Sequence, residues 1–181
     1  MTKWTMSRKL VALCAGITVT AASASGCSQV APGAAEAATP GRTAPPAGQD
    51  KARELTSIDP CGLLTAQESA QFGSSTHERQ DYGGAHICQW SFPSSHALDL
   101  GLDDQRGVKQ LLVGKGRPSM ITVGRHQAKR IEANLGERNC VVSLVITDSS
   151  RVDVVVSGDA DTATICDLAL RTAKIVEPKV P

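Results

Sequence analysis

The sequence predicts an α+β domain, a mainly antiparallel sheet of about five to six strands covered by helices and stapled by two disulfides. Three observations carry that expectation. Short runs of alternating apolar residues joined by turn-forming residues fill the middle of the chain. A helix-start signal stands at Asp59-Pro60, and apolar residues near helical spacing mark the last element, about Asp161 to Val176. Cys61, Cys88, Cys140 and Cys166 fall on two predicted helical segments and two predicted strands.

The elements follow in order. Asp59 before Pro60 is a helix cap followed by a first helical residue, so Pro60 to Leu64 reads as a short turn. Thr65-Ala66-Gln67-Glu68 is a capping box, and the helix it opens stops at Gly73. Ile87 to Phe92 puts Cys88, Trp90 and Phe92 on one face, and Leu98, Leu100 and Leu102 alternate with Asp99, Gly101 and Asp103, so the pair reads as a hairpin with one buried face. Asp104 is read as the cap of a helix through Val108, Leu111 and Leu112 that ends at Gly114, with Gly107 as a weak point. Residues 119–123 and 126–131 flank Gly124-Arg125, and residues 140–147 and 151–157 flank Asp148-Ser149-Ser150, giving two further hairpins. Ile165, Cys166, Ala169, Leu170, Ala173 and Val176 recur near helical spacing in the last element.

Ahead of this domain, Lys3, Arg8 and Lys9 precede an apolar run from Leu10 to Ala24, too short to span a bilayer, and Ala24-Ser25-Gly26-Cys27. Residues 1–26 therefore read as an export signal ending in a lipobox. Ala22-Ser23-Ala24 also fits ordinary cleavage, and cysteine parity separates the two readings. Ordinary cleavage leaves five cysteines, one an odd thiol in an oxidising compartment; acylating Cys27 leaves four, an even set for two disulfides. The expectation is a lipid-anchored protein, its Cys27 carrying diacylglycerol and palmitate-type chains, on the outer face of the cell membrane. Residues 27–54, rich in Ala, Pro, Gly and Thr without apolar periodicity, read as a disordered tether of about 30 Å root-mean-square span. Residues 55–181 form a single globular domain.

Four cysteines allow three connectivities. The neighbourhoods favour Cys61 with Cys88 and Cys140 with Cys166, each tying a helix to a nearby strand.

From Leu55 onward 13 Lys and Arg face 15 Asp and Glu, a formal charge of −2, which argues against a nucleic-acid surface. Phe72, Tyr82, Trp90 and Phe92 are too few for a base-stacking or sugar-stacking floor. His86-x-Cys88 with Cys61 resembles three zinc ligands, but export predicts that both cysteines are oxidised. His77, His86, His96 and His126 read as solvated loop or edge residues. The sequence holds no Gly-x-Ser-x-Gly elbow and no His-Glu-x-x-His, which leaves a hydrolase only a triad built from distant residues, such as Ser94 or Ser95 with a histidine and an aspartate. Gly114-Lys115-Gly116-Arg117-Pro118 has the wrong spacing for a P-loop. Lys115, Arg117, Arg125, Lys129 and Arg130 read as a local basic cluster.

Several of these stretches together resemble a known family. Ile58-Asp59-Pro60-Cys61-Gly62-Leu63-Leu64-Thr65, Cys88-Gln89-Trp90-Ser91-Phe92, Val123-Gly124-Arg125-His126-Gln127-Ala128, Cys140-Val141-Val142 and a late Cys166 are similar to the domain of unknown function 3558. That is a family of actinobacterial envelope lipoproteins. The resemblance implies an exported, anchored α+β domain with two disulfides, and it brings no catalytic residues. The functional expectation is a domain without enzymatic activity or cofactor that binds an envelope protein or a small or lipid-like ligand; the alternative is an envelope hydrolase with an unrecognised site.

Overall fold

The computed structural model describes residues 47–73, 76–93 and 96–181. The expected leader, Cys27 with its lipidation, and the expected tether as far as residue 46 lie outside the described residues.

Seven antiparallel strands form one sheet: β1 (Thr76–Tyr82), β2 (Ala85–Phe92), β3 (His96–Asp103), β4 (Arg117–Val123), β5 (His126–Glu132), β6 (Asn139–Thr147) and β7 (Ser150–Gly158). Their order across the sheet is β1-β2-β3-β7-β6-β5-β4. The count exceeds the expected five to six because of β1, whose Thr-His-Glu-Arg-Gln-Asp-Tyr is exposed throughout. No apolar alternation marks it, since it buries nothing and is held by its ladder to β2.

Among the described residues three α-helices accompany the sheet: α1 (Ala47–Thr56), α2 (Ala66–Ala70) and α3 (Thr162–Val176). Helix α1 occupies the end of the expected tether. Its Leu55 is only 1% exposed and packs in the core, so ordered chain begins ahead of residue 55. A 3-10 turn over Pro60–Leu63 is capped by Asp59, which accepts from the Cys61 amide at 3.1 Å. Thr65 and Glu68 close the capping box of α2 in both directions, and Asp161 caps α3.

The core lies between one sheet face and these helices. Cys88, Trp90, Leu98, Leu100 and Leu102 from β2 and β3 meet Val152, Val154 and Val156 from β7 and Cys140, Val142 and Leu144 from β6, all in register. Ile165, Ala169, Ala173 and Val176 of α3 pack onto them. Cys61–Cys88 ties the 3-10 turn to β2, and Cys140–Cys166 ties β6 to α3, with Cα separations of 5.0 and 5.1 Å. In the chain-entropy account each loop closure of this length stabilises by roughly 3.5 kcal/mol.

The helix expected from Asp104 to Leu112 does not form. Only a single 3-10 turn over Val108–Gln110 is present. Residues 104–116 carry the chain from β3 to β4, four inter-strand spacings away, or about 19 Å, and they do so across the second face of the sheet, where their backbone carbonyls are claimed by strand side chains. The carbonyls of Arg106 and Gly107, which a helix would spend internally, instead accept from the Arg151 guanidinium at 2.6 and 3.4 Å. The segment therefore crosses the second face of the sheet in extended form.

Candidate functional site

Strand alternation sends Asp103, Arg151, Asp153, Ser143, Lys129 and Met120 to that second face. Ladder pairing sets Gly101, Asp153, Ser143, Lys129 and Met120 in one row across β3, β7, β6, β5 and β4. Asp103, Arg151 and Val145 make the next row.

Arg151 is the hub of this face. Its Nη2 meets Asp103 Oδ2 at 2.9 Å, its Nε meets Asp153 Oδ2 at 2.8 Å, and its Nη1 holds the crossing segment. Asp103 is fully buried and also accepts from the amides of Gln105 and Arg106 and from Arg106 Nε. Ser143 donates to Asp153 Oδ1 at 2.5 Å. Burial pushes the Asp153 carboxyl up, against the pull of Arg151 and Ser143. Asp99, beside it on the same face, is also raised by burial, with Gln89 donating to it at 2.9 Å and opposing the rise. Among the described residues the side-chain groups bonded in this cluster are the Ser143 hydroxyl, the Asp103 and Asp153 carboxylates and the Arg106 and Arg151 guanidinium groups, and Arg151 fixes the crossing segment.

The clamped segment roofs an apolar cavity of about 220 Å³. Val108 comes from the segment, Met120 from β4 and Val145 from β6, while Lys109, Lys129, Thr147 and Asp148 complete the lining. Met120 is 59% exposed at this edge of the sheet. Lys109 Nζ meets Asp148 Oδ1 at 3.1 Å, both side chains lying in solvent. Lys129 Nζ donates to the Val108 carbonyl at 3.1 Å. The Thr147 hydroxyl is engaged by the Ser149 amide and Ser150 Oγ.

A second polar cluster stands at the chain's end. Gly124 has φ +56°, and a Cβ there would run into the Glu177 carboxylate, so this turn requires glycine on both counts. Glu177 accepts from the Arg125 amide at 2.9 Å and pairs with His126 Nδ1 at 2.8 Å; His126 Nε2 lies 2.8 Å from the Pro181 carbonyl. His126 is 6% exposed, which corrects the expectation of a solvated histidine. A β-strand position at the sheet's rim became interior because the chain end folds over it. Lys179 reaches Glu68 Oε2 at 2.6 Å and the Leu63 carbonyl at 2.8 Å, locking the same end to α2 and the first turn.

Burial pushes Glu177 up, but the Arg125 amide, His126 and their charges outweigh it and hold the carboxyl below its ordinary value. Lys179 chiefly lowers Glu68, with the Thr65 amide assisting. Both folded-state values are depressed, so their stabilisation is present above the ordinary glutamate value, about 4.3, and is lost as pH falls through the folded values. Glu177→Gln is expected to cost about 1–2 kcal/mol at pH 7 and to converge on the parent in acid. Urea titrations of both chains between pH 7 and 3 check this, and a gap constant with pH would contradict it.

The remaining candidates separate. Cys61 and Cys88 are bonded to each other and offer no thiolate to a metal, while His86 meets Asp81 at 2.8 Å. His77 lies by Trp90, ring centroids 5.7 Å apart, and His96 stacks on Phe92 at 4.4 Å. Ser94 and Ser95 lie outside the described residues. The basic cluster is dispersed: Arg117 and Arg130 both pair with Glu132, Arg125 faces Glu177, and Lys129 points to the other sheet face. Asp103, Arg151, Asp153 and Glu177 were missed as site residues. Charges at alternate positions of the apolar run 151–156 were the available signal.

A family model described as a protein of unknown function (DUF3558) matches residues 22–179. The chain belongs to the DUF3558 family. Comparisons with curated proteins and with solved structures gave no match. Within the family match, the residues placed here have identifiable work: Asp59 caps, Gly124 and His126 receive the chain end, and four cysteines form the two disulfides.

Proposed function

We propose that this DUF3558 chain is exported, held by lipid on Cys27 at the outer face of the cell membrane, and binds a partner or small lipid-like ligand without transforming it. The apolar cavity under the crossing segment carries the binding part of this reading. It joins an apolar lining to a few polar groups at its rim, the composition of a recognition pocket. Among the described residues the hydroxyl in its lining, Thr147, is already engaged, and no imidazole lines it. The leader pattern and cysteine parity support the anchor.

A photo-reactive residue at position 120, introduced in intact cells, is expected to form a discrete adduct that a matched probe at position 82 does not. Val145→Phe, which fills the cavity, is expected to abolish it. Cys27→Ser is expected to move the intact protein out of the membrane fraction. Equal labelling at both positions, or an adduct indifferent to Val145→Phe, would reject the pocket; an intact Cys27→Ser chain still tightly membrane-bound would reject the anchor.

A further inference from the structure

We propose that the cavity beneath Val108 takes the end of a single-chain carboxylate, a fatty-acid type of ligand, with its headgroup on Lys129. The inference rests on the reading of the domain as a binding module and adds the ligand's chemistry. Three observations lead to it. At about 220 Å³ the space exceeds the roughly 150 Å³ that holds a benzene ring in an engineered core, yet falls short of the roughly 300 Å³ where drug-sized pockets begin. It therefore admits a narrow apolar segment and not a whole bulky ligand. Met120, unbranched and half out in solvent, can swing to fit such a chain.

Charge supplies the second part. Lys129 is half-buried in the lining, and among the described residues its one polar partner is the Val108 carbonyl at 3.1 Å. A carbonyl leaves the ammonium's charge uncancelled and two of its three N–H donors free. Asp148, the carboxylate of the lining, is occupied by Lys109. The Arg151 network cannot serve, because both of its carboxylates are already bound to guanidinium. An anion entering beside Lys129 would gain a charge-assisted bond with no carboxylate partner to displace.

The third part selects the headgroup. A single ammonium matches a monoanion, whereas a phosphate dianion is better served by a fork of guanidinium groups, and among the described residues no arginine lines this cavity. A carboxylate is the simplest head that fits.

Methyl-resolved NMR titration of the full chain with decanoate, decanol, decyl phosphate and decyltrimethylammonium tests the proposal. Decanoate is expected to shift Val108, Met120 and Val145 and to bind about ten- to a hundredfold tighter than decanol. Lys129→Met should erase that preference while leaving decanol binding in place, and Lys174→Met, an exposed lysine of α3 outside the lining, should leave the preference intact. Val145→Phe should remove binding of every chain. The proposal is overturned if decanol equals decanoate, if decyl phosphate binds tenfold tighter than decanoate, if Lys129→Met keeps the preference, or if the shifts fall elsewhere. Should no chain bind while the position-120 adduct still forms in cells, the fatty-acid ligand is wrong and the binding module stands; loss of both ends the two together.

Discussion

Trp90→Ala is expected to destabilise the domain by about 3–5 kcal/mol, the range for deleting a large aromatic from a packed interior. Trp90 is 1% exposed and sits mid-strand in β2, two residues from Cys88 and two from Phe92 on the same face. Its ladder neighbour in β3 is Leu98, and the His77 ring lies over it from β1. The Cys61–Cys88 bond holds the surrounding backbone in place, so the walls of the vacated space can relax little. A loss of this size is a large share of the 5–15 kcal/mol by which domains are held folded. Guanidinium unfolding, disulfides intact, should show a lower midpoint at an unchanged slope. A cost under 1 kcal/mol with loss of decanoate binding would make Trp90 a ligand residue instead of a core one.

The parts of this fold that bury apolar surface or cap a helix could be read from the chain, because each leaves a local pattern. Cys88, Trp90 and Phe92 alternate, Asp59-Pro60 announces a helical turn, and Thr65 to Glu68 spells out its own hydrogen bonds. Strand β1 leaves no such pattern. Its nearest clue was Gly83-Gly84, a two-residue hairpin loop with both residues at positive φ, which calls for a strand on each side. The segment after Asp103 has helical spacing and an acidic start, yet tertiary contacts overrule it: the carbonyls of Arg106, Gly107 and Val108 accept from Arg151 and Lys129 on distant strands, partners that local spacing does not encode. His126 was legible as a polar residue near a turn but not as a buried one, since its partners lie 51 and 55 residues further on. The cavity has the same origin. Val108, Met120 and Val145 converge through sheet register and a crossing segment that sequence spacing does not encode.

The largest polar effect is expected at Arg151. Arg151→Met keeps the length of the side chain and removes the guanidinium between two carboxylates, leaving Asp103 fully buried with only Arg106 as counter-charge and Asp153 with only Ser143. Breaking a buried pair from one side typically costs about 3–5 kcal/mol, because a charge remains without compensation. Two signatures distinguish this from simple loss of packing. Arg151 normally pulls the Asp153 carboxyl down against burial, so the variant's carboxyl rises further. Protonation therefore relieves the variant before it relieves the parent, so the deficit should shrink as pH falls through the variant's raised value and level off once the parent's own raised carboxyl is protonated. The triple variant Asp103→Asn, Arg151→Met, Asp153→Asn should regain part of the stability that the single variant loses, since it no longer buries two unpaired charges. The crossing segment gives the second signature: with the Arg106 and Gly107 carbonyls released, amide exchange over residues 104–116 should accelerate and decanoate binding should fail even where the core remains folded. A deficit independent of pH, with exchange in the segment unchanged, would show that Arg151 only fills space and that the roof of the cavity is held by something other than this network.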